Sequence, residues 1–293
     1  MMKSIVLMFL CLVGAVASVS AASTEVEQRV EYTTSLNSMA SVVMNWYGSL
    51  IVKDTAVSFA ETDNRWDEFR SHYPTNISQI KITSSDLTKL DDNYQYQFKV
   101  NSLISYNTAN GEQGRMFNET FIFYVPLFSL PVIKRVSIDK VEEALVVNGS
   151  EFNRSYYKSR EFAYSWLAYL DGVDMAPSLS ASQWIDKVDY KIKIGNKIIQ
   201  GPVLSALEQR KQYLAKGGHL LRSIDVKKQQ DKESYLLIII AEWKGVNQDG
   251  KSVLAKVRQE IEYKILADNS WQVLSIDEQH LLPDIAPWIG LLC

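Results

Sequence analysis

Cysteine is scarce in this chain, which has two among its 293 residues, Cys11 and Cys293. Small exported proteins often depend on disulfides for their stability. Cys11 lies in an N-terminal segment that we expect to be removed on export, and Cys293 then has no partner within the chain. The mature protein is therefore expected to be stabilised by packing, without an internal disulfide.

Dense runs of basic residues are also missing. The chain has 31 Lys and Arg residues against 34 Asp and Glu residues, which gives a formal net charge of −3. A nucleic-acid-binding protein usually carries a basic patch or stripe. The charge balance therefore argues against a nucleic-acid partner and favours a peptide or a small molecule.

The sequence lacks the common motifs of metal and nucleophilic chemistry. Its three histidines, His72, His219 and His280, lie in different segments with no metal-ligand spacing between them. There is no Gly-x-Ser-x-Gly elbow and no phosphate-binding glycine loop. We therefore expect neither a metal nor a cofactor.

One long apolar run occurs, from Ile5 to Val19, after a Met-Met-Lys start and before the small residues Ser20, Ala21 and Ala22. This order is typical of a secretory signal peptide, which we place at residues 1–22, and the alternative is an uncleaved membrane anchor. No later stretch is long and apolar enough to span a membrane. The chain is therefore expected to be exported, either to a periplasm or to the medium.

A hairpin pattern occurs twice. Residues 235–243 and 253–265 alternate between two sets of side chains on either side of an Asp-Gly turn, and residues 96–104 and 116–124 do the same around an Asn-Gly turn. Alternation of this kind across a tight turn predicts a long antiparallel hairpin with one buried face. The residues expected on the buried faces are Phe98, Val100, Ile122, Leu237, Ile239 and Ile261.

A helix is predicted before each hairpin. Residues 35–51 and 156–170 carry apolar side chains at helical spacing, with Trp46 in the first segment and Trp166 in the second. A strand that ends in Ser-Ile-Asp closes each half of the chain. Without the signal peptide about 270 residues remain, a length that suggests two domains. We place the first domain at residues 30–140, a linker at 141–154 and the second domain at 155–285.

The Trp-containing helices, the long hairpins and the closing Ser-Ile-Asp strands resemble the nuclear-transport-factor-2-like superfamily, which includes the ketosteroid-isomerase-like and SnoaL-like proteins. The resemblance implies an α+β fold of two tandem cone-shaped domains, in each of which N-terminal helices pack on a curved antiparallel sheet. It is a resemblance of pattern and not of a catalytic motif. The superfamily contains enzymes, carriers and inert scaffolds, so the fold alone does not decide the function.

The resemblance also implies a place for catalysis, because the cone of this fold can hold an Asp or a His that moves a proton on a steroid-like or polyketide-like ligand. The candidates in this chain are His219, Asp225 and Asp277. The alternative for each is an exposed or capping residue, since His219 follows two glycines and Asp277 ends a strand.

Polar residues interrupt the predicted inner faces. Gln259 does so in the second hairpin, and Thr120, with Asn118 beside it, does so in the first. A buried polar group needs a partner, which can be a neighbouring side chain, a water or a ligand. Aromatic residues could line a pocket around Gln259, although the same spacing is typical of core residues. The candidate ligand-binding residues are Gln259, Trp166, Tyr169, Trp243 and Trp271.

The predicted outer faces are unusually apolar. Soluble monomers rarely leave such patches in contact with water. We therefore expect the two units to face each other sheet to sheet as an internal pseudo-dimer, and the alternative is cover from each unit's own segments or from a second chain. The residues expected in this seam are Phe117, Phe121, Phe123, Leu236, Ile238 and Ile240.

These features predict an exported, non-enzymatic tandem protein that binds a small apolar ligand or a protein partner. The alternative is an acid–base enzyme of lyase or isomerase type with an Asp/His site in the second cone. A dry, apolar cone would count against the enzyme, whereas His219 or Asp225 facing a cavity would favour it.

Overall fold

The computed structural model describes residues 30–51, 65–90, 94–126, 129–147, 152–175, 184–214, 216–229, 233–266 and 271–281. The predicted signal peptide, residues 148–151 of the predicted linker and Cys293 lie outside these ranges, and the domain boundaries stay a prediction. Within the described ranges, no helix has the length and apolar character that crossing a membrane requires.

Within its described residues, the first unit has two helices and a four-stranded sheet. Helix α1 covers residues 30–50, and α2 covers Trp66–Arg70. The strands are β1 (Ile77–Lys89), β2 (Gln95–Thr108), β3 (Gly111–Tyr124) and β4 (Val132–Ala144). Each pairs antiparallel with the next, in the order β1-β2-β3-β4. The β2–β3 turn is tight because Gly111 takes a φ of +110°, which other residues rarely adopt.

The second unit has the same plan with an added hairpin. Its elements are α3 (Arg154–Leu170), β5 (Asp189–Ile194), β6 (Lys197–Pro202), α4 (Val203–Arg210), β7 (Lys216–Lys228), β8 (Tyr235–Val246), β9 (Ser252–Ile265) and β10 (Trp271–His280). The sheet order is β6-β5-β10-β9-β8-β7, with only the β5–β10 pair parallel. Helix α3 begins where the Asn153 side chain accepts a hydrogen bond from the Tyr156 backbone N–H. The predicted α+β architecture with two sheets is confirmed.

Each sheet buries one face under its own helices. In the second unit Leu237, Ile239 and Ile261 are fully buried, as the alternation predicted. In the first unit Phe98 and Val100 are buried, also as predicted, and they pack in one cluster with residues of α1 and α2. Burying such side chains supplies most of the driving force for folding.

The predicted orientation of β3 was wrong. Phe117, Phe121 and Phe123 face inward and are buried, with the Phe121 ring 5.5 Å from Trp46 in an edge-to-face contact. Ile122 therefore points to the other face and is only half-buried. Both sides of this strand are apolar, so alternation could not choose between them. The strand register determines which side of β3 is buried, because Phe121 pairs with Phe98 of the inner face.

The predicted sheet-to-sheet seam between the two units was also wrong, because three of the six residues expected in it belong to the first unit's own core. The described contact between the units runs instead through α1 and α3. Ser41 donates to the backbone oxygen of Glu161 (3.3 Å), and Lys158 donates to the side-chain oxygen of Asn45 (2.9 Å). The helices approach closely because Gly48 leaves no side chain between them. Leu236, Ile238 and Ile240 are half-buried on the outer side of β8.

Two further contacts join the units. Tyr157 of α3 is buried in the first unit's core, and its hydroxyl donates to the backbone oxygen of Ile80 on β1 (2.6 Å). At the other end of the junction, the Asn37 side chain of α1 donates to the backbone oxygen of His219 on β7 (2.7 Å). Helix α1 thus lies between its own sheet and the second unit.

Candidate functional site

A group of hydrogen-bonded polar side chains lies on the buried, helix-covered face of the second sheet, and we call it the polar centre. All of its members are buried, which is unusual for so many ionisable groups. They come from the end of α3, from α4 and from four strands. The polar centre consists of Asp171, Tyr190, Arg210, His219, Gln259, Glu278 and His280.

Strand pairing brings these residues together. In the antiparallel pair β9–β10, Glu278 lies opposite Gln259, and His280 follows on the same face of β10. Strand β5 runs parallel to β10 and supplies Tyr190. The last residue of α4, Arg210, adds the one guanidinium of the polar centre.

Asp171 and His219 form a close pair. The Asp171 carboxylate accepts from the His219 backbone N–H (Oδ2, 2.9 Å) and contacts the imidazole Nδ1 (Oδ1, 2.5 Å). On the other side of the ring, Nε2 lies 3.2 Å from Nη2 of Arg210. A guanidinium can only donate, so Nε2 must accept and Nδ1 must carry the proton. In this arrangement His219 donates through Nδ1 to Asp171, and Nε2 is occupied by Arg210.

Glu278 accepts four hydrogen bonds. They come from the Tyr190 hydroxyl (2.5 Å), Nε2 of Gln259 (2.7 Å), Nε2 of His280 (2.9 Å) and Nε of Arg210 (3.2 Å). Burial alone would raise the pKa of Glu278, but the Arg210 charge, His280 and Tyr190 together hold this pKa well below its ordinary value. Glu278 is therefore a buried carboxylate.

Three polar atoms at or beside the polar centre have no hydrogen-bond partner among the described residues. They are Oε1 of Gln259, Nδ1 of His280 and Nε1 of Trp166. The Trp166 ring contacts the Tyr190 ring edge to face, with the centroids 5.7 Å apart. Buried polar atoms nearly always have hydrogen-bond partners, so a partner is expected for each of these three atoms.

The sequence-predicted site residues are only partly brought together. His219, Gln259 and Trp166 lie at or beside the polar centre, and Tyr169 stacks on Trp166 with a centroid distance of 5.9 Å. Trp271 lies between the rings of Phe162 and Tyr263, in the apolar core.

The other candidates lie away from the polar centre. Trp243 belongs to a separate apolar cluster with Val253 and Val257. Asp225 is exposed on β7 and lies 3.4 Å from the Lys227 ammonium, and Asp277 is exposed on β10. Of the three proton-transfer candidates, the structure therefore buries only His219.

Sequence reasoning missed five members of the polar centre: Asp171, Tyr190, Arg210, Glu278 and His280. A signal was present for two of them. Glu278 and His280 share the period-two face of the buried Ile276, so they are polar residues on an inward face. Asp171 and Arg210 follow or end helices, where a charged residue is ordinary, and no spacing links them to β10.

The first unit also has a buried carboxyl group on the inner face of its sheet, and it is the one such group among that unit's described residues. Glu119 of β3 accepts from the hydroxyls of Tyr47 (2.7 Å), Tyr73 (2.5 Å) and Ser102 (2.5 Å). Burial raises its pKa to about 7, although the three hydroxyls act in the opposite direction. No cation pairs with Glu119 among the described residues. It was missed because the orientation of β3 was predicted wrongly.

Comparison with known proteins gives matches of structure alone. No protein-family model and no curated protein matches the chain. Among solved structures, LinA is 17% identical, with 45% of this chain and 91% of that chain covered and a TM-score of 0.35. A putative ketosteroid isomerase from Shewanella frigidimarina is 13% identical (41% and 93% covered, TM-score 0.30). ActVI-ORFA from Streptomyces coelicolor is 12% identical (43% and 98% covered, TM-score 0.32).

The resemblance that the sequence suggested is also present in the arrangement of helices and strands. In each unit a long helix packs on the inner face of a sheet, antiparallel apart from the β5–β10 pair, and a buried carboxylate lies beneath the helices. The two units follow one another in the chain and repeat this plan. The chain therefore has two tandem units of one α+β plan, the architecture that the resemblance to the nuclear-transport-factor-2-like superfamily implies.

Proposed function

We propose that this protein is an exported, non-enzymatic binding protein that holds a small molecule at the polar centre of its second unit. The observation that carries the proposal is the set of unpartnered atoms on Trp166, Gln259 and His280. Leaving a buried donor or acceptor unpaired costs about 1–3 kcal/mol per group, so a bound molecule that pairs them is stabilised.

The polar centre indicates the chemistry of this molecule. The Trp166 indole N–H can only donate, and Oε1 of Gln259 can only accept, so the ligand needs both an acceptor and a donor. Glu278 is already paired with Arg210, so a full charge on the ligand is not required. The surrounding core is apolar, and Trp166, Tyr190 and Phe162 are fully buried in it. We therefore propose a mostly apolar molecule with one hydrogen-bonding end.

The state of His219 supports binding over catalysis. A general base must present a free lone pair to its substrate. In this structure the Nε2 lone pair of His219 faces Nη2 of Arg210, and the side chain has no solvent exposure. His219 therefore serves to hold Arg210 and Asp171 in place.

An acid–base enzyme is the second candidate, and the Asp171–His219 contact favours it. A carboxylate on Nδ1 orients an imidazole and fixes its tautomer, as in many general bases. If Arg210 turned away from His219 towards Glu278, Nε2 would become free. An enzyme would convert the bound molecule on incubation, and His219→Gln would stop the conversion. A binding protein would release the molecule unchanged.

The variant Gln259→Met tests the proposed site. Methionine has a similar length and keeps the strand, but it offers neither the amide oxygen to a ligand nor the amide N–H to Glu278. We expect native mass spectrometry of wild-type protein, purified without unfolding, to show a bound small molecule that the variant retains at a tenth of the occupancy or less. A factor of ten corresponds to about 1.4 kcal/mol, the size of one or two lost hydrogen bonds.

Gln279→Met is the matched control, since Gln279 is the exposed neighbour of Glu278 on β10. It should retain the molecule at wild-type occupancy. Equal occupancy in the Gln259 and Gln279 variants would contradict a site at the polar centre.

The export part of the proposal rests on the basic start, the apolar run from Ile5 to Val19 and the small residues after it. N-terminal sequencing of the mature protein should give a start near Ala22 or Ser23. A chain that still begins at Met1 would contradict export by a cleaved signal peptide.

A further inference from the structure

A cavity lies at the junction of the two units, away from the polar centre. Its volume is about 300 Å³, at the lower end of the range for small-molecule sites. The first unit contributes the N-terminal part of α1, the start of β2 and Val125, Pro126 and Ser129, and the second unit contributes Val173 and Lys216. None of these residues belongs to the polar centre.

The walls of this junction cavity are fixed by their own hydrogen bonds. The Tyr96 hydroxyl donates to the Glu31 carboxylate (3.2 Å), and Glu31 also pairs with Lys89 (2.8 Å). Ser38 donates to the backbone oxygen of Ser35 (3.1 Å). The Glu31 charge is therefore satisfied within the wall and does not call for a charged ligand.

One polar atom of the wall is left over. Oγ1 of Thr34 has no partner among the described residues, and Thr34 is only 9% exposed. Thr34 is one of the residues that line the junction cavity. A buried hydroxyl without a partner is uncommon and points to something that pairs with it when bound.

A second, independent feature marks the same cavity. Tyr94, which also lines it, has a φ of +59°, in the left-handed region that residues other than glycine seldom occupy. Its backbone oxygen accepts from the Val125 N–H (2.9 Å), which ties two wall residues together. Backbone conformations of this kind concentrate at ligand sites, where the surrounding structure holds them in place.

We propose that the junction cavity is a second ligand site, for a small neutral aromatic molecule that carries one hydroxyl or carbonyl oxygen. Its oxygen pairs with the Thr34 hydroxyl, and its ring packs on the apolar wall. That wall is formed by Val30, Tyr94, Val125, Pro126 and Val173. The volume accommodates one or two fused rings.

Occupancy of this site links the two units. The ligand contacts α1 and β2 of the first unit, and Val173 and Lys216 of the second. Lys216 begins β7, the strand on which the backbone oxygen of His219 accepts from Asn37 of α1. A bound molecule therefore reinforces the junction and raises the melting temperature of the whole chain.

The test uses 2-naphthol as the probe and the full-length mature protein, with isothermal titration calorimetry for affinity and thermal unfolding for stability. Thr34→Val keeps the shape and the β-branching of the side chain but removes the hydroxyl. We expect it to weaken 2-naphthol binding about fivefold, the effect of one lost hydrogen bond, and to raise the melting temperature of the free protein.

Thr33→Val is the matched control on the same helix. The Thr33 hydroxyl donates to the backbone oxygen of Val30 (3.2 Å), and Thr33 does not line the junction cavity. This change should lower the melting temperature of the free protein and leave the affinity for 2-naphthol unchanged. Binding of 2-naphthol that Gln259→Met abolishes and Thr34→Val leaves intact would lie at the polar centre, and would overturn the junction site.

Val173→Phe provides a second variant, because it fills the cavity from the other unit without touching Thr34. It should also weaken 2-naphthol binding. The proposal is overturned if wild-type protein does not bind 2-naphthol, or if neither the Thr34 nor the Val173 variant changes the affinity. A fall in the melting temperature of Thr34→Val would show that the hydroxyl is satisfied within the protein, and would equally overturn it.

Discussion

Replacing Arg210 with methionine should lower the free energy of unfolding by about 3–5 kcal/mol, the usual cost of removing one partner from a buried ion pair. Methionine fills a similar volume, so lost packing contributes little. The buried Glu278 carboxylate would lose its only guanidinium partner, and Nε2 of His219 would lose its donor. Guanidinium unfolding at neutral pH, followed by tryptophan fluorescence, measures the change.

Arg222→Met is the control, since it removes a second arginine–glutamate pair. Arg222 lies 2.7 Å from Glu242 but is exposed on β7, where solvent screens the attraction. Its removal should change the unfolding free energy little. Equal effects of the two substitutions would mean that the Arg210–Glu278 pair is not desolvated as the structure shows.

Glu119 should make the first unit less stable as the pH rises from about 4.5 to about 7. The folded pKa of about 7 lies above the ordinary value of 4.5, so the folded state binds the proton more tightly than the unfolded state. The stabilising contribution is complete below pH 4.5 and is lost as the pH rises to 7. Since each pH unit of difference corresponds to ~1.4 kcal/mol, the total loss is about 3 kcal/mol.

The variant Glu119→Gln isolates this effect, because its side chain does not titrate. Denaturant unfolding at a series of pH values from 4 to 8 should show the variant gaining about 3 kcal/mol on the wild type across that range. A difference that stays constant, or that grows towards low pH, would contradict the burial of Glu119 without a cation.

Tyr47→Phe gives an internal check on the cause of this pH dependence. The Tyr47 hydroxyl donates to Glu119 and favours the ionised form, so its removal should raise the pKa further. The fall in stability should then extend to higher pH. An unchanged midpoint would show that this hydrogen bond does not act on the carboxylate.

Glu119 and Glu278 are both buried, but their pKa values shift in opposite directions. Burial acts to raise the pKa of both Glu119 and Glu278. Glu119 has only hydroxyl donors, and its pKa rises. Glu278 has the Arg210 charge beside it, and its pKa falls. The Arg210 charge, together with His280 and Tyr190, therefore separates the buried carboxylate Glu278 from Glu119, whose carboxyl group titrates near neutral pH.

The sequence predicted the hairpins well because their pattern is local. In β9 the outer side carries charged residues, so the alternation determined that Ile261 is buried, and pairing with β9 places Leu237 of β8 on the same face. In β3 both sides carry large apolar residues, and the choice depended on pairing with β2 and on the position of α1. That information is non-local, which is why Phe121 was placed on the wrong face.

The polar centre could be predicted only in part for the same reason. His219 and Gln259 could be predicted as candidate site residues because they are polar residues in or near predicted strands. Asp171, Arg210 and Glu278 lie on three separate elements, and only the folding of the sheet around α3 and α4 brings them within hydrogen-bond distance. No spacing of residues along the chain predicts that these three side chains lie close together.

A crystal structure of the protein, purified from an exporting host without refolding, tests the proposed binding function most directly. The density to inspect lies next to Nε1 of Trp166, Oε1 of Gln259 and Nδ1 of His280. We expect a bound small molecule within hydrogen-bond distance of at least two of these atoms. Protein partners for all three atoms, with no bound molecule beside them, would contradict the proposal that the second unit is a binding site.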